Sequence, residues 1–297
     1  MDVLESVSET LARVVDAAGR SVVRVEARRR RPASGIVWTA DGIIVTAQHV
    51  VEREEGIGVG LPTGETVQAS LVGADPTTDV AVLRAQAQGL TPAEWAVTDD
   101  PRVGHLVVAL GRPGRTVRAA QGILSAVGGT WRTPGGGQID QYLQPDVVAY
   151  PGFSGGPLVT TTGKVLGLNT TGILRGAVLA VPVPTLRRVV DTVLAFGRVR
   201  RGYLGIGAHP VRLPAPLEKQ LGQRTGLITV SVEPGGPAER GGLLIGDVIT
   251  GIEREPTRRI DDLMAFLSAD RIGAAIPVHV VRAGQIQDLT VVVGEHT

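Results

Sequence analysis

Between residues 2 and 18 the apolar positions Val3, Leu4, Val7, Leu11, Val14 and Val15 recur at intervals of three and four. That period predicts an amphipathic helix over residues 1–20, one face turned to the body of the protein or to a neighbouring subunit. From Ser21 the pattern changes to short Val-rich runs cut by Gly, Pro and Asp, at 22–25, 35–38, 43–47, 57–61, 67–72 and 80–83. Six short strands with turn residues between them predict a small β-barrel or sandwich over residues 21–98. After Thr98-Asp99-Asp100-Pro101 the texture repeats, with runs at 106–110, 117–127, 139–143, 158–160, 165–169 and 177–181, and predicts a second barrel of similar size over 102–183. The stretch 128–138, with Trp131 and Gly135-Gly136-Gly137, reads as a mobile loop because it is too long and glycine-rich for a plain hairpin turn.

The helical period returns at Pro184. Leu186, Val189, Val190, Val193 and Leu194 form one face and Gly197 is placed to stop the helix, so that 184–201, with the basic run Arg198 to Arg201, reads as a connecting helix and linker. Residues 202–297 predict a separate small α+β unit. Its strands fall at 203–207, 227–232 and 247–252, its helices at 237–241 and 260–268, and a hairpin pairs 276–281 with 287–293. In the longer helix Ile260, Leu263, Met264 and Leu267 make the apolar face.

Composition narrows the function classes. With 297 residues, 43% of them hydrophobic, the chain is long enough for two or three compact units with buried cores. Thirty Lys and Arg against 29 Asp and Glu leave a charge of +1, so no whole-protein field draws it to nucleic acid or an acidic membrane. The run Arg28 to Arg31 is the one basic cluster and reads as a solvated loop. Cysteine is absent, which excludes disulfides and thiolate metal sites, and His49, His105, His209 and His279 do not fall at metal-ligand spacing, so neither metal nor cofactor is expected. Asp2, Glu5, Glu9 and Asp16 interrupt the first turns where a secretory leader would be apolar, and no run has the length of a membrane span. The chain as written is therefore expected to be cytoplasmic, or periplasmic or otherwise extracytoplasmic if a leader has been removed.

Candidate chemistry centres on Pro151-Gly152-Phe153-Ser154-Gly155-Gly156-Pro157-Leu158, a serine among glycines that let the backbone turn its N–H groups inward. A serine hydroxyl needs a base, and the base needs an orienting carboxylate. His49 ends the apolar run Val45 to Ala47, and Asp79 begins the run Val80 to Leu83. Singly, a histidine at a strand end is often a surface side chain and an aspartate before a buried strand is often a turn residue. Jointly, His and Asp in the first barrel and Gly-x-Ser-Gly-Gly-Pro in the second follow the chymotrypsin order of a triad. The backbone N–H groups of Gly152 and Ser154 then form the candidate oxyanion hole.

Together with Arg201-Gly202-Tyr203-Leu204-Gly205-Ile206 and the stretch from Pro234-Gly235-Gly236-Pro237 to Gly246-Asp247-Val248-Ile249, these motifs resemble the HtrA/Deg family of serine endopeptidases. The resemblance runs from about Ser21 to the C-terminus. It implies a mainly β chain, a chymotrypsin-like double β-barrel followed by one small α+β PDZ domain. It also implies ATP-independent cleavage of unfolded or damaged proteins and assembly into homotrimers or multiples of them. By the same resemblance, Val148 and Ala149 form one wall of the substrate pocket and Leu168, Asn169, Thr170 and Thr171 the other. With Val148 rather than a carboxylate at the base, small or medium apolar residues are expected on the acyl side. The PDZ groove for peptide C-termini is expected from Tyr203, Leu204, Gly205 and Ile206, with Met264 and Leu267 on the facing helix and Leu263 in the core. The chain departs from the family pattern at Phe153, where Asn is usual, at Gln48, and in an N-terminal segment without aromatic residues. Two other readings stay open: a proteolytically silent chaperone-like or peptide-binding protein on the same scaffold, and a digestive protease independent of its PDZ domain.

Overall fold

The computed structural model describes residues 2–29, 31–96, 100–199, 202–268 and 271–295. Arg30, the turn at Thr98-Asp99 and the link at Arg200-Arg201 lie outside the described residues. The chain divides into two units, Met1–Val199 and Arg200–Thr297.

The first unit opens with helix α1 (Val3–Gly19), followed by β1 (Val22–Glu26), β2 (Ala33–Val37), β3 (Ile43–Ala47), a single 3-10 turn over Gln48–Val50, β4 (Ile57–Gly60), β5 (Thr66–Asp75) and β6 (Val80–Ala85). The six strands close into an antiparallel barrel in the order β1-β2-β3-β6-β5-β4. The runs in β2, β3 and β4 lack polar alternation because both strand faces are covered, whereas β5 alternates exposed polar with half-buried positions. Val23, Val25, Val37, Ile44, Ile57, Val59 and Leu83 fill the barrel. Their neighbours Val22, Ile36, Val45, Val80 and Val82 point outward into a second core shared with helices and the following sheet. The alternation thus divides two cores, one residue apart.

The second sheet holds β7 (Leu106–Gly111), β8 (Arg118–Gly128), β11 (Tyr142–Pro145), β12 (Pro157–Thr160), β13 (Val165–Thr170) and β14 (Leu179–Pro182) in the order β11-β8-β7-β12-β13-β14. Its end strands β11 and β14 lie against each other, which closes the sheet on itself. Again the parity splits: Val107, Ala109, Leu124, Leu143 and Leu158 fill the interior, while Val108, Leu110, Val159, Leu168 and Val181 join the core between the barrels. Helix α2 (Val183–Phe196) packs on that same core through Leu186, Val189, Val190 and Val193, and Gly197 caps it in the left-handed region.

Residues 128–138, expected as a mobile loop, instead build a hairpin of β9 (Trp131–Arg132) and β10 (Gln138–Ile139). Its glycines serve close approach: a Cβ at Gly137 would fall 2.5 Å from Thr77 Oγ1. Thr133 Oγ1 donates to the Thr77 carbonyl at 2.7 Å, and Trp131 packs edge-on against Tyr142 at 5.2 Å. The hairpin therefore buttresses the loop that carries Asp79.

The second unit contains β15 (Gly202–Tyr203), β16 (Ile206–Arg212), α3 (Ala215–Leu221), β17 (Thr225–Val232), α4 (Pro237–Arg240), β18 (Val248–Ile252), β19 (Glu255–Pro256), α5 (Ile260–Met264), β20 (Ala275–Arg282), β21 (Gln285–Val292) and β22 (Gly294–Glu295). Its main sheet runs β16-β17-β18-β20-β21, which leaves β16 at an edge, with α5 against it. α5 is shorter than the periodicity predicts, since the chain turns away after Met264. Asp247 is buried and accepts from the Arg282 guanidinium at 2.8 and 2.7 Å. Burial works to raise its pKa, but the bonds from Arg282 and from the Leu244 N–H, with the guanidinium charge, outweigh it and hold the carboxyl below its ordinary value. No helix among the described residues is long and apolar enough to cross a membrane.

Candidate active site

The site lies on the first unit, where the outer ends of β3, β6 and β13 and the turn before β12 meet. His49 sits in the 3-10 turn directly after β3, and Asp79 at the residue before β6. Pairing of Ala47 with Val80 across those two strands brings the two side chains together. His49 Nδ1–H donates to Asp79 Oδ2 at 2.7 Å, and the His49 backbone N–H donates to Oδ1 at 2.8 Å. Asp79 holds φ 57°, unusual for a residue with a side chain, and its two carboxylate bonds offset the strain. Its side chain is 5% exposed against 31% for His49, so the carboxylate is fixed and shielded while the far edge of the ring faces the cleft.

Two neighbours complete the pair. Thr170 Oγ1 donates to Asp79 Oδ2 and accepts the Gly172 N–H at 2.9 Å. Gly172 lies so close that an added Cβ would stand 2.6 Å from His49 Nδ1 and 2.7 Å from Asp79 Oδ2. Gly172→Ala is therefore expected to push the imidazole off its carboxylate and lower kcat about 100-fold, the usual penalty for misplacing a catalytic group by an ångström. Steady-state turnover alongside a thermal melt checks this; unchanged turnover in a folded variant would refute it.

Ser154 lies in the same cleft. Its Oγ hydrogen bonds Thr171 Oγ1 at 3.3 Å, and among the described residues it makes no bond to His49. The peptide group joining Gly152 and Phe153 is held at both ends, its carbonyl accepting from Ser34 Oγ at 2.6 Å and its N–H donating to the Tyr150 carbonyl at 3.1 Å. Ser34 Oγ in turn accepts from the Arg112 N–H at 2.7 Å. Gly152 takes φ 93°, a conformation that admits glycine readily. Among the described residues the N–H groups of Gly152 and Ser154 meet no protein acceptor, whereas those of Phe153 and Gly155 are bonded.

Phe153, the departure from the family pattern, is 3% exposed and packs into the interior of the second barrel with Ala109, Leu124 and Leu158. Tyr150 packs against it with its ring tilted by 59°, the centroids 5.6 Å apart. It anchors the loop instead of covering the cleft.

The cleft has a volume of about 760 Å³ and is lined by His49, Ser154, Val148, Ala149, Asn169, Thr170 and Thr171, among others. Two expectations need correction here. Leu168 does not line the cleft: it is fully buried in the core between the barrels, and by strand alternation Asn169 faces the cleft in its place. Val148 is 59% exposed, so it forms a wall and not a base. Asn169 is 2% exposed and its carboxamide atoms have no hydrogen-bond partner among the described residues, so the acyl-side wall is partly polar.

In the second unit Leu204 also departs from expectation. Its side chain is buried in the core with Leu227, Ile249, Leu263 and Val291, so this residue can offer a peptide only its backbone. Ile206, Met264 and Leu267 remain partly exposed. Sequence reasoning missed Gly172, Ser34 and the bond from Thr170 to Asp79, since each acts through a contact distant in the chain. The sole local trace was a glycine directly after the Asn169-Thr170-Thr171 wall.

Residues 33–168 match the model of the trypsin-like peptidase domain, and residues 228–272 that of the PDZ domain. The chain is 34% identical over 282 residues to the serine endoprotease DegS of Escherichia coli, covering 90% of this chain and 78% of that protein. It is 36% identical over 276 residues to a probable periplasmic serine endoprotease, DegP-like, of Rhizobium meliloti, covering 90% of this chain and 54% of that relative, so it spans about half the length of the DegP-like proteins. Among solved structures, a serine endoprotease from Yersinia pestis superimposes with a TM-score of 0.78 at 31% identity, over 96% of this chain and 98% of that one. The HtrA-type protease AlgW with a decapeptide gives 0.77 at 28% identity, over the same shares. On the closed barrel, the second sheet closed on itself, the α+β unit and these similarities, the chain belongs to the HtrA/Deg family of serine endoproteases.

Proposed function

We propose that the protein is a serine endopeptidase that cleaves unfolded or damaged proteins without ATP. The observation that carries this reading is the doubly bonded His49–Asp79 pair sharing one cleft with Ser154. A substrate entering the cleft displaces the weak Ser154–Thr171 contact, and a rotation of the hydroxyl brings Oγ to His49 Nε2. Ser154 Oγ then attacks the scissile carbonyl while His49 takes its proton, and Asp79 keeps Nδ1 protonated and the ring in line. The oxyanion is received by the N–H groups of Gly152 and Ser154, each worth about 3 to 4 kcal/mol in enzymes of this kind. Collapse of the tetrahedral adduct passes the proton from His49 to the leaving amine. Water then attacks the acyl-enzyme by the same route.

The exposed edge of β16 against α5 supports peptide docking on the second unit, by addition of a strand whose C-terminal carboxylate meets the backbone N–H groups of residues 204–206. Val3 and Leu4 on α1, 75% and 76% exposed, support association into a homotrimer or larger oligomer. The Rhizobium meliloti relative is named a probable periplasmic endoprotease, and we extend an extracytoplasmic location to this chain.

Labelling with a fluorophosphonate, with light scattering on the same sample, tests the reading. Wild type is expected to label and to degrade an unfolded protein, Ser154→Ala to do neither, and the scattering mass to be a multiple of three chains. Absence of labelling, with and without C-terminal peptides, would favour the silent peptide-binding alternative, and a monomer at all concentrations would refute the oligomer.

A further inference from the structure

We propose that the loop between β1 and β2 is a subsite for acidic side chains on the leaving-group side of the scissile bond. This rests on the endopeptidase reading above. The loop is tied to both halves of the catalytic apparatus. At its start the Ala27 carbonyl accepts the Glu52 N–H at 3.0 Å, three residues beyond His49, and the Glu26 carbonyl accepts from Arg53 at 2.8 Å. At its end the Ser34 N–H donates to the Ser154 carbonyl at 3.1 Å, and the Pro32 carbonyl oxygen lies 2.9 Å from where a Cβ on Gly152 would stand. The loop therefore bridges from the turn that carries the base to the loop that carries the nucleophile.

Three of its side chains, Arg28, Arg29 and Arg31, line the cleft, where Glu52 is the carboxylate among the described lining residues. Arg28 Nε donates to the Arg31 carbonyl and shapes the turn. Arg29 and Arg31 are exposed, and neither has an ion pair among the described residues. Exposed guanidinium groups beside a peptide cleft are suited to recognition of anionic side chains. His49 delivers its proton to the leaving amine, so the residues that follow the scissile bond pass on the His49 side, beneath this loop, while the acyl residue sits opposite against Val148 and Asn169–Thr171. A guanidinium fork there pairs with a carboxylate in two parallel bonds. An unfolded segment with an apolar residue before the cut and acidic residues after it is the substrate this cleft fits.

The test uses internally quenched peptides identical up to a Val before the cut, with Glu-Glu, Gln-Gln or Lys-Lys at the second and third positions after it. Wild type is expected to rank them Glu, Gln, Lys, with kcat/KM about tenfold apart from first to last at low salt. Raising ionic strength should compress the spread. Arg29→Glu with Arg31→Glu, both exposed sites, is expected to reverse the order. In a second arm, fluorescence anisotropy reads binding of the same peptides to Ser154→Ala, in which the order should be kept. Equal rates and affinities for the three peptides, or a Glu preference that survives the double charge reversal, would overturn the subsite. If wild type cleaves none of them while the anisotropy order holds, the endopeptidase reading fails and the subsite stands.

Discussion

Replacing Asp79 by Asn is expected to lower kcat about 10⁴-fold with little change in KM, because the ring is left in the wrong tautomer. The geometry shows why no orientation of the amide rescues it. Both carboxylate oxygens of Asp79 accept N–H groups of the same residue, Oδ1 from the His49 backbone and Oδ2 from His49 Nδ1. Thr170 Oγ1 adds a third donor on Oδ2. An asparagine has one acceptor oxygen, so its NH₂ must face one of these donors. If it faces the ring, Nδ1 becomes the acceptor, the proton moves to Nε2, and His49 can no longer take the Ser154 proton. If it faces the backbone, a buried donor is left opposed to a donor, which costs about 1 to 3 kcal/mol and loosens the turn that holds His49. Steady-state kinetics with one quenched peptide, and fluorophosphonate labelling rates, read both routes. A variant that folds and keeps a tenth of wild-type turnover would show that Asp79 does not orient the base. Thr170→Val separates the contributions, since it removes one donor and leaves the tautomer unchanged.

What the chain disclosed in advance follows from the range over which each signal acts. The strand at Ile43–Ala47 was legible because an Ile and Val run bounded by turn residues reflects burial on both faces, a local consequence of a global fact. His49, Asp79 and Ser154 could be put forward as a set because a serine nucleophile needs a base and the base an orienting carboxylate; in the fold His49 bonds Asp79 and shares a cleft with Ser154. Leu168 was misplaced by one residue: in a strand buried throughout, composition carries no mark of which face is which, and the two faces here serve different cores. The helix Ala215–Leu221 went unread because Pro214 and Pro216 look like breakers, although proline suits a first helical turn and Gly222 caps its end in the left-handed region. The hairpin at 131–139 was hidden by glycines whose purpose is contact with Thr77, some sixty residues earlier in the chain. Gly172 and Ser34 could not be read at all, since each acts through one contact across the fold.

Phe153→Ala is expected to cost about 3 to 5 kcal/mol of stability, the usual range for removing a buried phenylalanine. The aromatic ring fills the second barrel beside Ala109, Leu124 and Leu158, and it is so tightly seated that a Cβ on Gly111 would fall 2.8 Å from it. The same residue also stands between Gly152 and Ser154, whose N–H groups are the proposed oxyanion donors. Its backbone N–H bonds the Tyr150 carbonyl, Gly152 precedes it with a carbonyl held by Ser34, and Ser154 follows. Removing the ring therefore releases an apolar anchor of a loop otherwise held by hydrogen bonds of the Gly152, Phe153, Ser154 and Gly155 backbone, and is expected to displace the N–H groups of Gly152 and Ser154. Loss of one oxyanion donor lowers kcat about 10² to 10³-fold, so the variant is expected to fall within that range when assayed well below its melting temperature. Phe153→Leu, which keeps an apolar anchor, is expected to retain most of the activity at reduced stability. Phe153→Asn places an amide in an apolar interior and is expected to be the least stable of the three. Chemical denaturation paired with kcat and KM for each variant separates the two roles. If Phe153→Ala loses stability yet keeps wild-type kcat in its folded state, the ring is a packing residue alone, and the oxyanion loop is set by Ser34 and Tyr150.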